Sequence, residues 1–122
     1  MTTVLLVDDS PTILMSLSAI LTKSGYTVAT ACDGQDALTK IGTVKPNLII
    51  SDLNMPRMDG MTFIKELRKT AGQRFTPVLM LTTESQALKR QEAKAAGATG
   101  WLVKPVKAED LLQVIHQVVP GS

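Results

Sequence analysis

Asp8 and Asp9 stand side by side directly after an apolar run at residues 4–7, and Asp52 follows residues 48–50 with only Ser51 between. Thr82 closes the run at residues 78–81 and Lys104 the run at 101–103. Carboxylates, a hydroxyl and an amine therefore sit where hydrophobic runs stop. Three carboxylates brought to one edge of a fold repel one another by roughly 4 kcal/mol per pair at 4 Å and an effective dielectric of about 20. A bound cation relieves that repulsion. Mg²⁺ suits such a cluster because it takes oxygen ligands, keeps several waters, and bridges one or two carboxylates to phosphate oxygens. Beside it, Asp52 has the makings of a nucleophile. A carboxylate that attacks phosphorus forms an aspartyl-phosphate, and the transfer needs little beyond alignment and neutralised charge on the phosphoryl oxygens. Lys104 offers a compact ammonium and Thr82 a hydroxyl donor for those oxygens. Taken singly, each residue has a plainer reading: a turn or cap for Asp8 and Asp9, a solvated Lys104, a helix cap for Thr82. Their joint placement argues for chemistry.

Five short apolar runs, at 4–7, 28–31, 48–50, 78–81 and 101–103, alternate with longer segments of helical period, which predicts a parallel sheet with crossover helices. The loops after the strand C-termini then share one edge, where ligands of such sheets bind. In the first helix Ile13, Leu14, Leu17, Ile20 and Leu21 form one stripe, with Ser10 as N-cap and Pro11 at the first helical position. The last helix repeats the pattern with Leu111, Leu112, Ile115, Val118 and Val119. Lys107 stands where a capping side chain would help it, although Glu109 and Asp110 complement the helix dipole. Gly25, Gly42, Gly72 and Gly97 are read as helix stops, and Pro46 and Pro77 precede strands. The second strand ends at Cys32, with no acid or hydroxyl in that place.

The chain has 122 residues, 44% of them hydrophobic, enough for one continuous core, and residues 1–122 are read as one domain with no effector domain. Thirteen basic and 11 acidic side chains leave a net charge of only +2, so no nucleic acid or membrane surface is expected as a partner. Cys32 is the only cysteine and is expected to be a small buried residue in a reducing compartment. No apolar run reaches the ~20 residues of a membrane span and no signal-peptide pattern opens the chain. A soluble, cytoplasmic protein is expected.

The motifs Val7-Asp8-Asp9-Ser10, Asp52-Leu53-Asn54-Met55-Pro56 with Asp59-Gly60, Leu81-Thr82, and Gly97-Ala98 followed by Lys104-Pro105 resemble those of two-component response-regulator receiver domains. Among these the chain is most similar to the stand-alone, CheY-type chemotaxis regulators. The resemblance covers essentially the whole chain and implies an α/β, doubly wound (βα)5 fold of the flavodoxin type, with strand order 2-1-3-4-5. It implies Asp52 as phosphoacceptor, Asp9 and Asp52 as direct Mg²⁺ ligands, Asp8 acting through water, and the Asn54 carbonyl as a further ligand. Lys104 would pair with the phosphoryl group through a strand end whose peptide bond to Pro105 is cis. Thr82 and the aromatic position of strand five, here Trp101, would form the switch. Trp101 departs from the usual tyrosine or phenylalanine, and Thr83 from the usual alanine or glycine; Asn54 and Glu84 match the chemotaxis subgroup.

The implied protein is no enzyme beyond catalysing its own aspartyl phosphorylation and dephosphorylation. A CheA-like histidine kinase would supply the phosphoryl group, and a monomer would act on the flagellar motor switch; the alternative is a phosphate sink or phosphorelay adaptor. Ala87, Lys89, Arg90, Lys107 and Gln113 are expected on the output face, and the lone His116 in a structural or solvent role. Three fold-mates fit less well. A flavodoxin-like carrier would place the FMN phosphate against Asp8 and Asp9. A haloacid-dehalogenase-type phosphatase needs a second aspartate where Asn54 stands. A dinucleotide binder needs Gly-x-Gly-x-x-Gly after the first strand, and the chain lacks it.

Overall fold

Alternating strand positions commit each strand to two helical layers. In the computed structural model, which describes residues 2–53, 58, 60–70, 76–82, 87–104 and 106–119, ten elements alternate along the chain. They are β1 (Thr3–Val7), α1 (Pro11–Lys23), β2 (Thr27–Ala31), α2 (Gly34–Val44), β3 (Leu48–Asp52), α3 (Gly60–Lys69), β4 (Val78–Thr82), α4 (Ala87–Ala96), β5 (Gly100–Val103) and α5 (Ala108–Val118). The strands form one parallel sheet in the order β2-β1-β3-β4-β5. Every residue of β3 and β4 is buried, as a sheet covered on both faces requires.

Val4 and Leu6 of β1 join Leu48, Ile50, Leu79, Leu81 and Leu102 in a core against Leu17 and Leu21 of α1 and Leu111 and Ile115 of α5. The intervening Leu5 and Val7 join Ile49, Val78 and Met80 against Ala37 and Ile41 of α2 and Phe63, Ile64 and Leu67 of α3. Helices α1 and α5 thus cover one face and α2 and α3 the other. The chain leaves β1 for β2 on one side and returns to β3 on the other, so strand order reverses between β1 and β3. The crevice at their C-terminal ends is the position at which doubly wound sheets bind ligands.

The helix starts follow the capping rules. Ser10 Oγ accepts from the Ile13 amide at 3.4 Å and Pro11 opens α1. Lys107 precedes α5 without a side-chain cap bond, with Glu109 and Asp110 in the first turn. Gly25 and Gly97 lie at φ 94° and 117°, in the left-handed region that favours glycine. Gly42 does not stop α2: the helix runs on to Val44, and Lys45, at φ 49°, takes the left-handed C-cap. A helix-interior glycine costs about 1 kcal/mol, which the buried stripe of Ala37 and Ile41 outweighs. Gly72 lies outside the described residues. Cys32 is exposed, contrary to the expectation of burial. The last core position of β2 is Ala31, and Cys32 belongs to the turn capping α2, where its amide donates to Asp36 Oδ2 at 3.0 Å.

Arg68 ties the far end of the sheet together. It donates to the carbonyls of Thr76 at 2.6 Å and Gly97 at 2.7 Å, joining α3 to the entry of β4 and the turn before β5. Arg68→Met keeps the stem and removes both bonds, so a loss of about 3 kcal/mol is expected, read as a lower urea midpoint at unchanged m.

Candidate functional site

The strand ends deliver three carboxylates and one ammonium to the crevice. Asp8, one residue past β1, is 1% exposed; its Oδ1 accepts from the Ser10 amide at 2.9 Å, a bond made possible by the turn into α1. Its Oδ2 is buried without a hydrogen-bond partner. Asp52 closes β3 and is buried at 6% exposure, while Asp9 is exposed. Carboxylate oxygens of Asp8, Asp9 and Asp52 all lie within 4.8 Å of one another. Lys104, just past β5, places Nζ 3.0 Å from Asp52 Oδ1 and 3.9 Å from Asp8 Oδ2. Its main chain is fixed by the neighbouring strand, since the Lys104 amide donates to the Thr82 carbonyl at 2.7 Å. Thr82 itself is wholly buried, and its hydroxyl donates to the Leu102 carbonyl over a long 3.4 Å.

One ammonium faces three carboxylates. Burial pushes the Asp8 carboxyl above its ordinary pKa; the Ser10 amide opposes this, the charge of Asp52 adds to it, Lys104 opposes it, and Asp9 adds the smallest contribution. The buried Asp8 Oδ2, without a hydrogen-bond partner among hard oxygen donors, is what a small divalent cation would satisfy, and the donor set fits Mg²⁺. Asp8, Asp9 and Asp52 are thus brought together with Lys104, as their positions in the sequence predict. Thr82 stands one register step beyond Leu81, the partner of Asp52, with its hydroxyl turned toward β5. Trp101, in β5, is 39% exposed and lies across from Met80 of β4. Asn54, Met55, Pro56, Asp59, Thr83, Glu84 and Pro105 lie outside the described residues, as do the side chains of Ala87, Lys89 and Arg90. Lys107, Gln113 and His116 are exposed.

Two features escaped the sequence reading. Asp33 is buried at 2% exposure and caps α2 by accepting from the Asp36 amide at 2.8 Å; its signal was an acidic residue three positions before a backbone donor that needs a partner. A cavity of about 400 Å³ beside Lys104, walled by Ile13, Ser16, Leu17, Leu81 and Val106, had none, because its walls come from three separate segments.

The chain belongs to the response regulator receiver domain family, whose model matches residues 4–116. Protein PilH of Pseudomonas aeruginosa is 36% identical over 121 residues, 99% of this chain and 100% of that protein. Protein PilG of the same organism is 37% identical over 118 residues, 97% of this chain and 87% of that protein. Among solved structures, the chemotaxis protein CheY4 of Vibrio cholerae superposes with a TM-score of 0.93 at 50% identity, over 98% of this chain and 99% of that one. The flavodoxin-type order expected from the family motifs is the order observed. Among the described residues no helix is long and apolar enough to cross a membrane.

Proposed function

We propose that this protein is a cytoplasmic response regulator that accepts a phosphoryl group on Asp52 from a CheA-like histidine kinase, in a Mg²⁺-dependent reaction, and signals by changing shape. The observation that carries the reading is Asp52 Oδ1, 3.0 Å from the Lys104 ammonium within a three-carboxylate cluster that includes a buried oxygen without a hydrogen-bond partner. An Asp52 oxygen attacks phosphorus, the bond from phosphorus to the donor nitrogen breaks, and the donor imidazole leaves with the electron pair. Asp8, Asp9, Asp52 and the Asn54 carbonyl would hold Mg²⁺, which when bound neutralises charge on the phosphoryl oxygens and lowers the repulsion among the carboxylates. Lys104, already against Asp52, would meet the transferred group with a positive charge. The chain catalyses only its own phosphorylation and dephosphorylation.

Thr82 and Trp101 carry the switch. The Thr82 hydroxyl gives up only a long 3.4 Å bond to Leu102 when it turns to a phosphoryl oxygen, so the exchange costs little. The space that it vacates lies beside β5, into which Trp101 turns from its 39% exposed position. Trp101 is the only tryptophan, so phosphorylation should shift its emission to the blue; unchanged emission in fully phosphorylated protein would reduce Trp101 to packing. The groove formed by Trp101, Val106, Lys107, Asp110 and Gln113 is the face so altered, and we assign it to the downstream partner. Likeness to a chemotaxis protein supports the flagellar motor switch as that partner. Phosphorylation-dependent retention of the protein on the isolated motor-switch protein tests this assignment, and equal retention of both forms would contradict it.

A further inference from the structure

β2 is a terminal strand of the sheet, so one of its sides pairs with β1 and the other ends the ladder. The Thr27 amide donates to the Thr2 carbonyl at 3.0 Å and the Asp8 amide to the Ala31 carbonyl at 3.1 Å, so the odd-numbered residues aim their backbone groups at β1. Those of Val28, Thr30 and Cys32 then point outward. Residues 26–32 contain no charge, no proline and no glycine, and Tyr26, Thr27, Val28 and Thr30 all favour strands. An edge of that composition is a template for a further strand. Edge strands are commonly blunted by a lysine or proline of their own, and β2 has neither. The charge comes from the next helix. Lys40 Nζ, on α2, donates to the Thr30 carbonyl at 2.7 Å, and Asp36 Oδ2 accepts from the Cys32 amide at 3.0 Å and from Lys40 at 3.2 Å. The bond from the Cys32 amide is the foremost cause that holds the Asp36 carboxyl below its ordinary pKa; burial opposes it and Lys40 adds to it, so the pair is charged at neutral pH.

We infer that Asp36 and Lys40 close the outer edge of β2 against a second copy of this chain and so hold the protein as a monomer. The ammonium takes the place of a strand donor at the Thr30 carbonyl and the carboxylate that of a strand acceptor at the Cys32 amide, two consecutive outward groups of the ladder. Two copies related by a twofold axis would lay β2 antiparallel against itself, an isologous contact in which the same backbone groups serve both partners. A second copy fits the bare edge because the strand carries no charge that would repel its like. Thr27 and Thr30 are exposed, so neither side chain has to leave a core for two such strands to meet. The inference stands apart from the phosphoryl reading, since neither Asp36 nor Lys40 belongs to the cation cluster.

The test is sedimentation equilibrium of the full chain over a range of concentrations, with circular dichroism to confirm that each variant is folded. Asp36→Ala combined with Lys40→Met frees the Thr30 carbonyl and the Cys32 amide, and should raise the self-association constant at least about tenfold, as two backbone hydrogen bonds newly offered to a partner imply. Lys40→Met alone keeps the acceptor at Cys32 and should give a smaller rise of the same sign, a readout that serves even where the double variant does not fold. Lys40→Arg keeps a charged donor and should sediment as the wild type does. Adding Thr30→Lys to the double variant sets a charge on the strand itself and should return it to a monomer. Lys40→Met and the double variant both as monomeric as the wild type, or an association that survives Thr30→Lys, would overturn the inference. So would a wild type that already associates and is returned to a monomer by Thr30→Lys, because the edge would then be open with the pair in place.

Discussion

In metal-free buffer, Asp8→Asn should melt above the wild type, and Mg²⁺ should raise the wild type while moving the variant far less. Asp8 is 1% exposed, its Oδ2 has no hydrogen-bond partner, and Asp52 and Asp9 lie within 4.8 Å. A buried polar group left unsatisfied costs about 1–3 kcal/mol, more when charged. Asparagine is nearly isosteric, keeps an oxygen for the Ser10 amide, and removes one of the three charges. The gain expected is about 1–3 kcal/mol, or ~3–10 °C for a chain of this size. Mg²⁺ at a hundred times its dissociation constant adds about 2.7 kcal/mol to the wild type by mass action. A variant that melts at or below the wild type without metal would show that the cluster carries no excess of negative charge.

Lys104→Met should do the reverse. Methionine keeps most of the stem and removes the ammonium that stands 3.0 Å from Asp52 and 3.9 Å from Asp8, leaving the carboxylates without their nearby cation. Metal-free stability should fall by about 1–3 kcal/mol, less than for a wholly enclosed pair because the lysine side chain is 25% exposed. Phosphoryl acceptance from a small donor should slow by about a hundredfold, the loss typical when one preorganised donor to the transition-state charge is removed. The opposite signs of the two shifts are the informative result. Two shifts of the same sign would mean that packing, and not charge, sets the stability of this edge.

The sheet and the carboxylate cluster were legible because both depend on local pattern. Five apolar runs fall on the five strands with ends displaced by at most two residues, and each acid or base that follows a run reaches the crevice because parallel strands send their C-termini to one edge. Gly42 misled because a glycine marks a helix end only when the chain must turn there, and the stripe of Ala37 and Ile41 holds α2 together past it. Cys32 misled because burial depends on where the edge strand stops, and β2 stops at Ala31. The Arg68 bridge was not legible at all. It joins residues from distant segments, Arg68 with Thr76 and Gly97, and no local spacing encodes such a meeting.

On the proposed function, Asp52 receives the phosphoryl group with help from a divalent cation. Intact-mass measurement after incubation with a small phosphodonor, with Mg²⁺ and with chelator, tests it most directly in the wild type and in Asp52→Asn. One added phosphoryl group is expected in the wild type with Mg²⁺, almost none with chelator, and none in the variant. Equal labelling of Asp52→Asn, or labelling of the wild type that ignores Mg²⁺, would contradict it.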